Sequence, residues 1–296
     1  MDADRTDAAE ILTREPAEGL AATLDLQSPA GVLPPLWHWV YLLERTPQRG
    51  LGADGHALAG VPHPPGPGYR RMFGGGRVTT HALLRLGEPA SRRTELVSSR
   101  EKQGRSGPLV IATVRSEFVQ GGVTAIVDES DIVYRAPGEE SLPARGEPGF
   151  PRAGSGAATS AGAATSAGAG PTPNAEPTPD TDAPGGAAWS LVADEALLFR
   201  FSALTFNAHR IHYDLPFCER EGYDGLVIHG PLQALLMGEL MRREGVELVG
   251  RTFAYRFVAP LTGVQRILVE PAEAGLAAGA QVRSASGVVT ARAELR

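Results

Sequence analysis

The chain of 296 residues lacks several features that would assign it to a special class of protein. It contains a single cysteine, Cys218, so an internal disulfide is excluded and a reducing compartment is expected. It has no run of about 18 apolar residues, which a membrane-spanning helix would need. The N-terminal sequence MDADRTDAAEILTREP is acidic and lacks the apolar segment of a secretory signal. We therefore expect a cytoplasmic protein with no membrane partner.

Positive charge is also scarce, since 28 Lys and Arg against 34 Asp and Glu give a formal net charge of -6. A nucleic-acid-binding surface needs an excess of basic residues, and we expect no nucleic-acid partner. A local group of arginines can still bind an anionic small molecule inside an acidic protein. Hydrophobic residues make up 42% of the chain, which fits one large or two modest globular domains.

Composition divides the chain into four parts. Residues 136–186 consist mainly of Ala, Gly, Ser, Thr and Pro, and such a segment cannot bury enough apolar surface to offset its ordering entropy. This segment is predicted to be a disordered linker between an N-terminal domain at residues 18–135 and a C-terminal domain at residues 187–296. Residues 1–17 are predicted to be an N-terminal tail.

The clearest secondary structure before the linker is a hairpin, in which Leu109–Gln120 and Val123–Arg135 are joined by Gly121 and Gly122. Glycine supplies the positive φ that a tight hairpin turn requires. Thr94–Glu101 is predicted to be a third antiparallel strand. Further predictions are a short buried helix at Leu36–Glu44, a long loop at Gly50–Tyr69, and a bend or bulge at Gly74–Gly76.

After the linker the clearest element is a helix at Pro231–Arg243. Proline suits the first helical position, and apolar residues recur on one face and add to others, so the helix is predicted to be wrapped by a sheet. Ala196–Ser202 is predicted to be β-like or a short lead-in. Antiparallel strands are predicted at Thr252–Val258, Arg266–Glu270 and Val288–Leu295. The expected architecture is an apolar helix inside a curled antiparallel sheet.

Three of the 7 histidines, His209, His212 and His229, fall between Asn207 and Gly230. The segment NAHRIHYD at 207–214, followed by GLVIHGP at 225–231 and an apolar helix, resembles the MaoC-type hydratase/dehydratase family. In particular it resembles the branch of mesaconyl-C4-CoA hydratases and type 2 hydroxyacyl-thioester dehydratases. The segments PPLWHW at 34–39, RRMFGGGR at 70–77 and KQGRSGP at 102–108 are similar to a second, degenerate half of that branch.

The resemblance implies an α+β double hot-dog fold, two antiparallel sheets each wrapping a central helix, with one active half. It also implies a substrate that is a thioester of CoA or acyl-carrier protein. By position, Asn207 matches the family's acidic residue, His212 its catalytic histidine, and Gly230 the glycine whose N–H meets the thioester carbonyl. No cofactor and no metal are expected, and a homodimer is left open.

Hydration of an enoyl thioester requires stabilisation of negative charge on the thioester oxygen and a group that moves a proton near neutral pH. Gly230 at the predicted helix start offers an unpaired N–H and the positive end of the helix dipole. His212 has a suitable ordinary pKa of about 6.5. Asn207 cannot act as a base, which favours a one-base mechanism through His212. Which group fixes the tautomer of that imidazole stays open at this point.

Other side chains of these segments are candidates for substrate binding: His209, Arg210, Tyr213, His229, Arg71 and Arg77. Arg70 and Arg105 are candidates for an anionic cradle with Arg71 and Arg77. Four alternatives to a mesaconyl-C4-CoA hydratase are kept. Three are functions: an (R)-3-hydroxyacyl-thioester dehydratase of fatty-acyl metabolism, a thioesterase on the same fold, and a non-catalytic acyl-CoA-binding protein. The fourth is a metal site at His209, His212 and Asp214.

Overall fold

The computed structural model describes residues 5–66, 68–104, 107–136 and 188–296. The predicted linker lies outside the described residues apart from Ala136, and so does Arg105; the linker stays a prediction. The described strands are β1 (Arg5–Ile11), β2 (Arg70–Thr80), β3 (Pro89–Gly104), β4 (Gly107–Gln120), β5 (Val123–Arg135), β6 (Trp189–Ala193), β7 (Thr252–Phe257), β8 (Gln265–Pro271), β9 (Gly279–Arg283) and β10 (Val289–Leu295). The α-helices are α1 (Glu15–Thr23), α2 (Glu195–Leu204), α3 (Leu215–Arg220) and α4 (Gly230–Arg243), and short 3-10 turns lie at Trp37–Val40, Gln48–Gly50 and Arg210–His212.

All ten described strands form one antiparallel sheet in the order β1-β3-β4-β5-β2-β7-β10-β9-β8-β6. Counted inward from either edge, the five strands of each half follow the same chain order, so the fold is a tandem repeat of one motif. The halves meet where β2 pairs with β7, from Gly75 opposite Arg256 to Thr79 opposite Thr252. The two expected sheets are therefore joined edge to edge into one.

Glycine makes this junction possible. A Cβ on Gly75 would lie 2.4 Å from the carbonyl oxygen of Tyr255 on the facing strand, and the φ of Gly75 is 146°. A register shift between Phe73 and Gly75 confirms the predicted bulge in this glycine run. The close approach excludes any larger residue at Gly75.

Helix α4 is the central helix of the C-terminal half and confirms the predicted helix. Every residue from Leu232 to Met241 is buried, as expected for a helix that a sheet surrounds, and it packs against β7, β8, β9 and β10. In the described part of the N-terminal half, no long helix takes the place that α4 has in the C-terminal half. There Leu36–Leu42, with the 3-10 turn, packs between its strands and α4, so the helix predicted at Leu36–Glu44 is reduced to one turn.

Contacts of this turn fix the halves together. The Nε1–H of Trp37 donates to the buried carboxylate of Glu239 in α4. A Cβ on Gly238 would lie 2.4 Å from the Leu36 side chain, so α4 needs glycine at this point. These contacts belong to one large hydrophobic core that extends through both halves.

Two predictions about chain segments were wrong. The predicted tail is not a tail from Arg5 onward, because β1 pairs with β3 from Arg5 opposite Glu95 to Ile11 opposite Pro89, and α1 begins at Glu15. The alternating but mostly polar sequence of β1 concealed an edge strand. Ala196–Ser202 is not β-like, because it lies within α2, which Asp194 caps by accepting from the Leu197 N–H at 2.8 Å.

The hairpin β4–β5 and the strands predicted around residues 94, 252, 266 and 288 are confirmed. Strands β1, β2, β6 and β9 were not predicted. No helix in the described ranges is long and apolar enough to cross a membrane.

Candidate active site

A cavity of about 1820 Å³ lies between the two halves, and both halves line it. The C-terminal half contributes Asn207, His209, His212 and Gly230. The N-terminal half contributes, among others, Arg71 and His56. The structure thus brings the three predicted catalytic residues to one cavity, and their surroundings extend to residues of the other half.

His212 ends the 3-10 turn Arg210–His212 and is almost completely buried. Its Nδ1–H donates to the carbonyl oxygen of Val227 at 2.6 Å. This hydrogen bond fixes the tautomer, because it leaves the lone pair of the ring on Nε2. Burial lowers the pKa of His212 to about 4, against a raising effect of the Val227 carbonyl and a further lowering by His56. At neutral pH the imidazole is therefore uncharged and able to accept a proton.

His229, the residue before α4, stacks on His212 with ring centroids 3.5 Å apart. Its Nε2 lies 2.8 Å from the hydroxyl of Ser202, which belongs to α2. Burial holds the pKa of His229 well below its usual range, and the neighbouring His212 adds to this effect. The stacked ring restricts His212 from one side and adds no charge, which fits a bracing role and not substrate contact.

Asn207 follows α2 and organises the loop that leads to His212. Its Oδ1 accepts the backbone N–H of His209 at 3.0 Å, which forms an Asx turn and fixes the orientation of the amide. The NH2 group is then the freer end of the side chain. Asn207 therefore presents mainly a donor to the cavity, with the second lone pair of Oδ1 as an acceptor.

Gly230 is the first residue of α4, where backbone N–H groups have no acceptor within the helix. Pro231 follows it and has no N–H of its own. A Cβ on Gly230 would lie 2.8 Å from Cε2 of Phe257, another residue of the cavity wall. Glycine at this position thus allows both the exposed N–H and the packing of the Phe257 ring against the helix start.

A loop of the N-terminal half docks directly onto the catalytic loop. The backbone N–H of Arg210 donates to the carbonyl oxygen of Asp54 at 2.8 Å, and its guanidinium donates to the carbonyl oxygen of Ala53 at 3.0 Å. Gly55 has a φ of 88°, and a Cβ there would lie 1.8 Å from the carbonyl oxygen of Ala208. Only glycine permits this contact, which carries His56 to the catalytic residues.

His56, His209 and Arg71 form a cluster beside His212. The Nδ1–H of His56 donates to the Asp54 carboxylate at 3.0 Å, and the rings of His56 and His209 have centroids 3.9 Å apart. The rings of His209 and His212 are 5.6 Å apart, edge to face. Burial lowers the pKa of both His56 and His209, and the Arg71 cation lowers each further. Both histidines are therefore neutral donors or acceptors next to a permanent positive charge.

The structure sorts the predicted substrate-binding residues. His209 and Arg71 line the cavity, whereas Arg210, Tyr213, His229 and Arg77 do not. Arg210 is held by Asp214, which it meets at 2.9 Å, and by the Ala53 carbonyl. Arg77 is exposed and paired with Glu129. It lies beyond the bulge between Phe73 and Gly75, which reverses the alternation of β2, so it does not share the face of Arg71.

The metal site considered at His209, His212 and Asp214 is not formed. Asp214 caps α3 by accepting from the Phe217 N–H and pairs with Arg210, while Nδ1 of His212 is engaged by Val227. A different set, Asp54, His56 and His209, presents ligand atoms within 4.8 Å of one another. Sequence reasoning did not predict Asp54, His56 or the Val227 carbonyl as parts of the site. The one sequence signal for Asp54 and His56 is a histidine after Asp-Gly in a loop rich in Gly, Pro and His.

Comparison with known proteins agrees with this geometry. The family model for hydroxyacyl-thioester dehydratase type 2 matches residues 36–155 and 159–263. The chain is 41% identical over 265 residues to the mesaconyl-C(4)-CoA hydratase of Chloroflexus aurantiacus, covering 86% of this chain and 83% of that protein. A shorter match, 33% identical over 76 residues, is to the mitochondrial hydroxyacyl-thioester dehydratase type 2 of Schizosaccharomyces pombe, covering 25% of each chain.

Two solved structures show the same fold at low sequence identity. HtdX of Mycobacterium tuberculosis matches with a TM-score of 0.64 at 13% identity, covering 99% of each chain. A MaoC-like dehydratase from Phytophthora capsici matches with a TM-score of 0.58 at 12% identity, covering 100% of this chain and 96% of that one.

Fold and site together define a double hot-dog protein of the MaoC-like class. Within that class the chain belongs to the hydroxyacyl-thioester dehydratase type 2 family. It is a hydro-lyase that adds water to, or removes water from, the α,β bond of an acyl thioester.

Proposed function

We propose that this enzyme hydrates mesaconyl-C4-CoA, the CoA thioester of methylfumaric acid at C4, in the cytoplasm. The substrate assignment is supported by the 41% identity, over most of both chains, to a protein of that activity. In this thioester the β-carbon bears a methyl group and a free carboxylate. Water adds its oxygen to that carbon, and the product is a tertiary alcohol next to the carboxylate.

In the proposed mechanism His212 is the only base. Nε2 of His212 takes a proton from water while the water oxygen bonds to the β-carbon, and the electrons of the C=C bond move to the thioester oxygen. The protonated imidazole is then a buried cation with a pKa held near 4 by burial, so it returns the proton readily to the α-carbon. The hydrogen bond to Val227 supports this assignment, since it keeps Nε2 unprotonated at the start.

Asn207 and Gly230 have complementary roles in this proposal. The Asn207 side chain orients the attacking water, since its NH2 group is not used by the Asx turn. The Gly230 N–H donates to the thioester oxygen, where negative charge develops, and the N-terminal end of α4 adds the positive end of the helix dipole. The thioester then lies between the helix start and the two loop residues.

The cavity supports CoA as the carrier of the acyl group. Its volume of about 1820 Å³ exceeds the usual 300–1,000 Å³ of a small-ligand pocket, so it has room for a pantetheine arm as well as an acyl group. A second candidate, an (R)-3-hydroxyacyl-thioester dehydratase with a longer acyl chain, is favoured by the match to the Schizosaccharomyces pombe protein and by this volume.

A comparison of enoyl thioesters tests the proposed function. Purified enzyme is mixed with mesaconyl-C4-CoA or with unbranched enoyl-CoA thioesters of increasing length, and loss of the conjugated-thioester absorbance is followed. The highest kcat/KM is expected with mesaconyl-C4-CoA, and His212→Ala should abolish turnover because no other group replaces the base. A preference for long monocarboxylic chains would support the second candidate, and an active His212→Ala variant would contradict the base assignment.

A further inference from the structure

One side of the cavity next to His212 carries an arginine, Arg71, that forms no ion pair with a described acidic side chain. Arg71 lies in β2 opposite Tyr134 of β5 and lines the cavity half-buried. Its guanidinium is a hydrogen-bond partner of the Tyr134 side chain, which itself donates to the carbonyl of Pro62 at 3.1 Å. Within the described part of the chain, no carboxylate forms an ion pair with Arg71.

The other arginines of the cavity wall differ from Arg71. Arg70 pairs with Glu221, and Arg92 pairs with Glu44 at 3.3 Å. Arg49 is exposed to solvent, where water stabilises its charge. The nearby Asp54 carboxylate is engaged by both Nδ1–H and the backbone N–H of His56, each at 3.0 Å. Arg71 is therefore a partly desolvated cation whose natural partner is an anion brought by a ligand.

The position of the cluster decides which anion this is. Arg71 lies close enough to His56 and His209 to lower the pKa of both, and the ring of His209 is 5.6 Å from that of His212. The phosphates of CoA are separated from the thioester by the whole pantetheine arm, so they cannot reach this point while the β-carbon faces His212. A carboxylate bonded directly to the β-carbon is close enough to His212 to reach it.

We propose that Arg71, with His56 and His209, forms a subsite for the free carboxylate of a dicarboxylic acyl group. This inference rests on the proposed function and adds to it the residues that select the substrate. Arg71 supplies the charge and two parallel donors. The histidines supply neutral hydrogen-bonding groups, and His56 is oriented by Asp54.

The subsite also has a consequence for the reaction. A carboxylate on the attacked carbon opposes the negative charge that moves through the substrate as water adds. A guanidinium beside the carboxylate offsets much of this charge repulsion, whereas a cluster of neutral groups alone would not. Because β2 belongs to the N-terminal half, that half would supply substrate selection while the C-terminal half supplies the base.

The experiment compares two thioesters that differ only in this group. Mesaconyl-C4-CoA and 3-methylcrotonyl-CoA share the thioester and the β-methyl group, but the second has a methyl group where the first has the carboxylate. For Arg71→Gln we expect kcat/KM to fall by about 10² or more with mesaconyl-C4-CoA and by less than about threefold with 3-methylcrotonyl-CoA. Arg71→Lys should recover part of the loss, since it restores charge without the two parallel donors.

Arg85→Gln is the matched control. Arg85 is exposed and paired with Glu88 at 3.0 Å, so its replacement removes the same charge and should leave both reactions unchanged. Folding of each variant is checked by its thermal transition. If Arg71→Gln does not fold, Arg71→Lys decides, because it should still lose more activity with the dicarboxylic substrate than with the neutral one.

Three outcomes would overturn the subsite. One is an equal loss with both thioesters, which would make Arg71 a general binding residue. Another is a change confined to the neutral substrate. The third is a stoichiometric metal bound at Asp54, His56 and His209 in purified enzyme, lost with activity on chelation and restored by the metal alone. Failure of the proposed function differs from these, since wild-type enzyme would then not turn over mesaconyl-C4-CoA.

Discussion

Burial of His212 as a neutral imidazole predicts a specific dependence of stability on pH. The pKa is about 4 in the folded protein and about 6.5 in the unfolded chain, so the unfolded chain binds more protons between these values. Stability from this group is therefore fully present above pH 6.5 and is lost as the pH falls toward 4. The full difference corresponds to roughly 3 kcal/mol, of which about 2 kcal/mol is lost by pH 5.

The assay isolates this group by comparing variants across pH. Urea unfolding followed by tryptophan fluorescence, at pH 8 and pH 5, gives the change in the free energy of unfolding for wild type and for His212→Gln. The wild-type change should exceed that of the variant by about 2 kcal/mol. Replacement of the exposed His81 by Gln should leave the wild-type change intact. An NMR titration midpoint for His212 near 6.5, or equal pH dependence in both proteins, would refute the reasoning.

Three further predictions concern catalysis. Gly230→Ala keeps the backbone N–H, but its new Cβ would lie 2.8 Å from the Phe257 ring and displace the helix start, so kcat should fall by about 10² or more and stability by about 1–3 kcal/mol. An unchanged kcat in steady-state assays would contradict the need for this N–H at its present position. Asn207→Asp should retain part of the activity with a new acid limb in the pH profile of kcat/KM, while Asn207→Ala should lose about 10². Residues 187–296 expressed alone should aggregate or self-pair with little activity, because the edge of β7 and one cavity wall are exposed; gel filtration showing an active monomer would argue against this.

The apolar periodicity and the turn residues of the sequence were sufficient to predict the central helix and strands. The apolar positions of α4, the Gly-Gly turn of the β4–β5 hairpin and the strands after α4 were predicted from local patterns. The resemblance of residues 207–231 to the MaoC-type family implied that Asn207, His212 and Gly230 act together, and all three line one cavity. In each case the residues that carry the signal are near one another in the chain.

What the sequence could not reveal depends on contacts between distant segments. Strand β1 is short of apolar residues and is defined by its pairing with β3. The tautomer of His212 depends on a backbone carbonyl, which every residue possesses and no sequence pattern marks. His56 reaches the site only because Gly55 allows its loop to contact Ala208, more than 150 positions away in the chain. Local patterns predict which segments form elements, but not which loops meet.

The two repeats that meet where β2 pairs with β7 belong to one polypeptide, and this frees them from symmetry. In a dimer of identical hot-dog subunits, any residue placed on one side of the interface is repeated on the other, so two equivalent sites result. Here the two sides of the cavity carry different residues: Arg71 and His56 on one, Asn207 and His212 on the other. Each chain should therefore bind a single thioester, and titration calorimetry with a substrate analogue should give a stoichiometry of about one per chain.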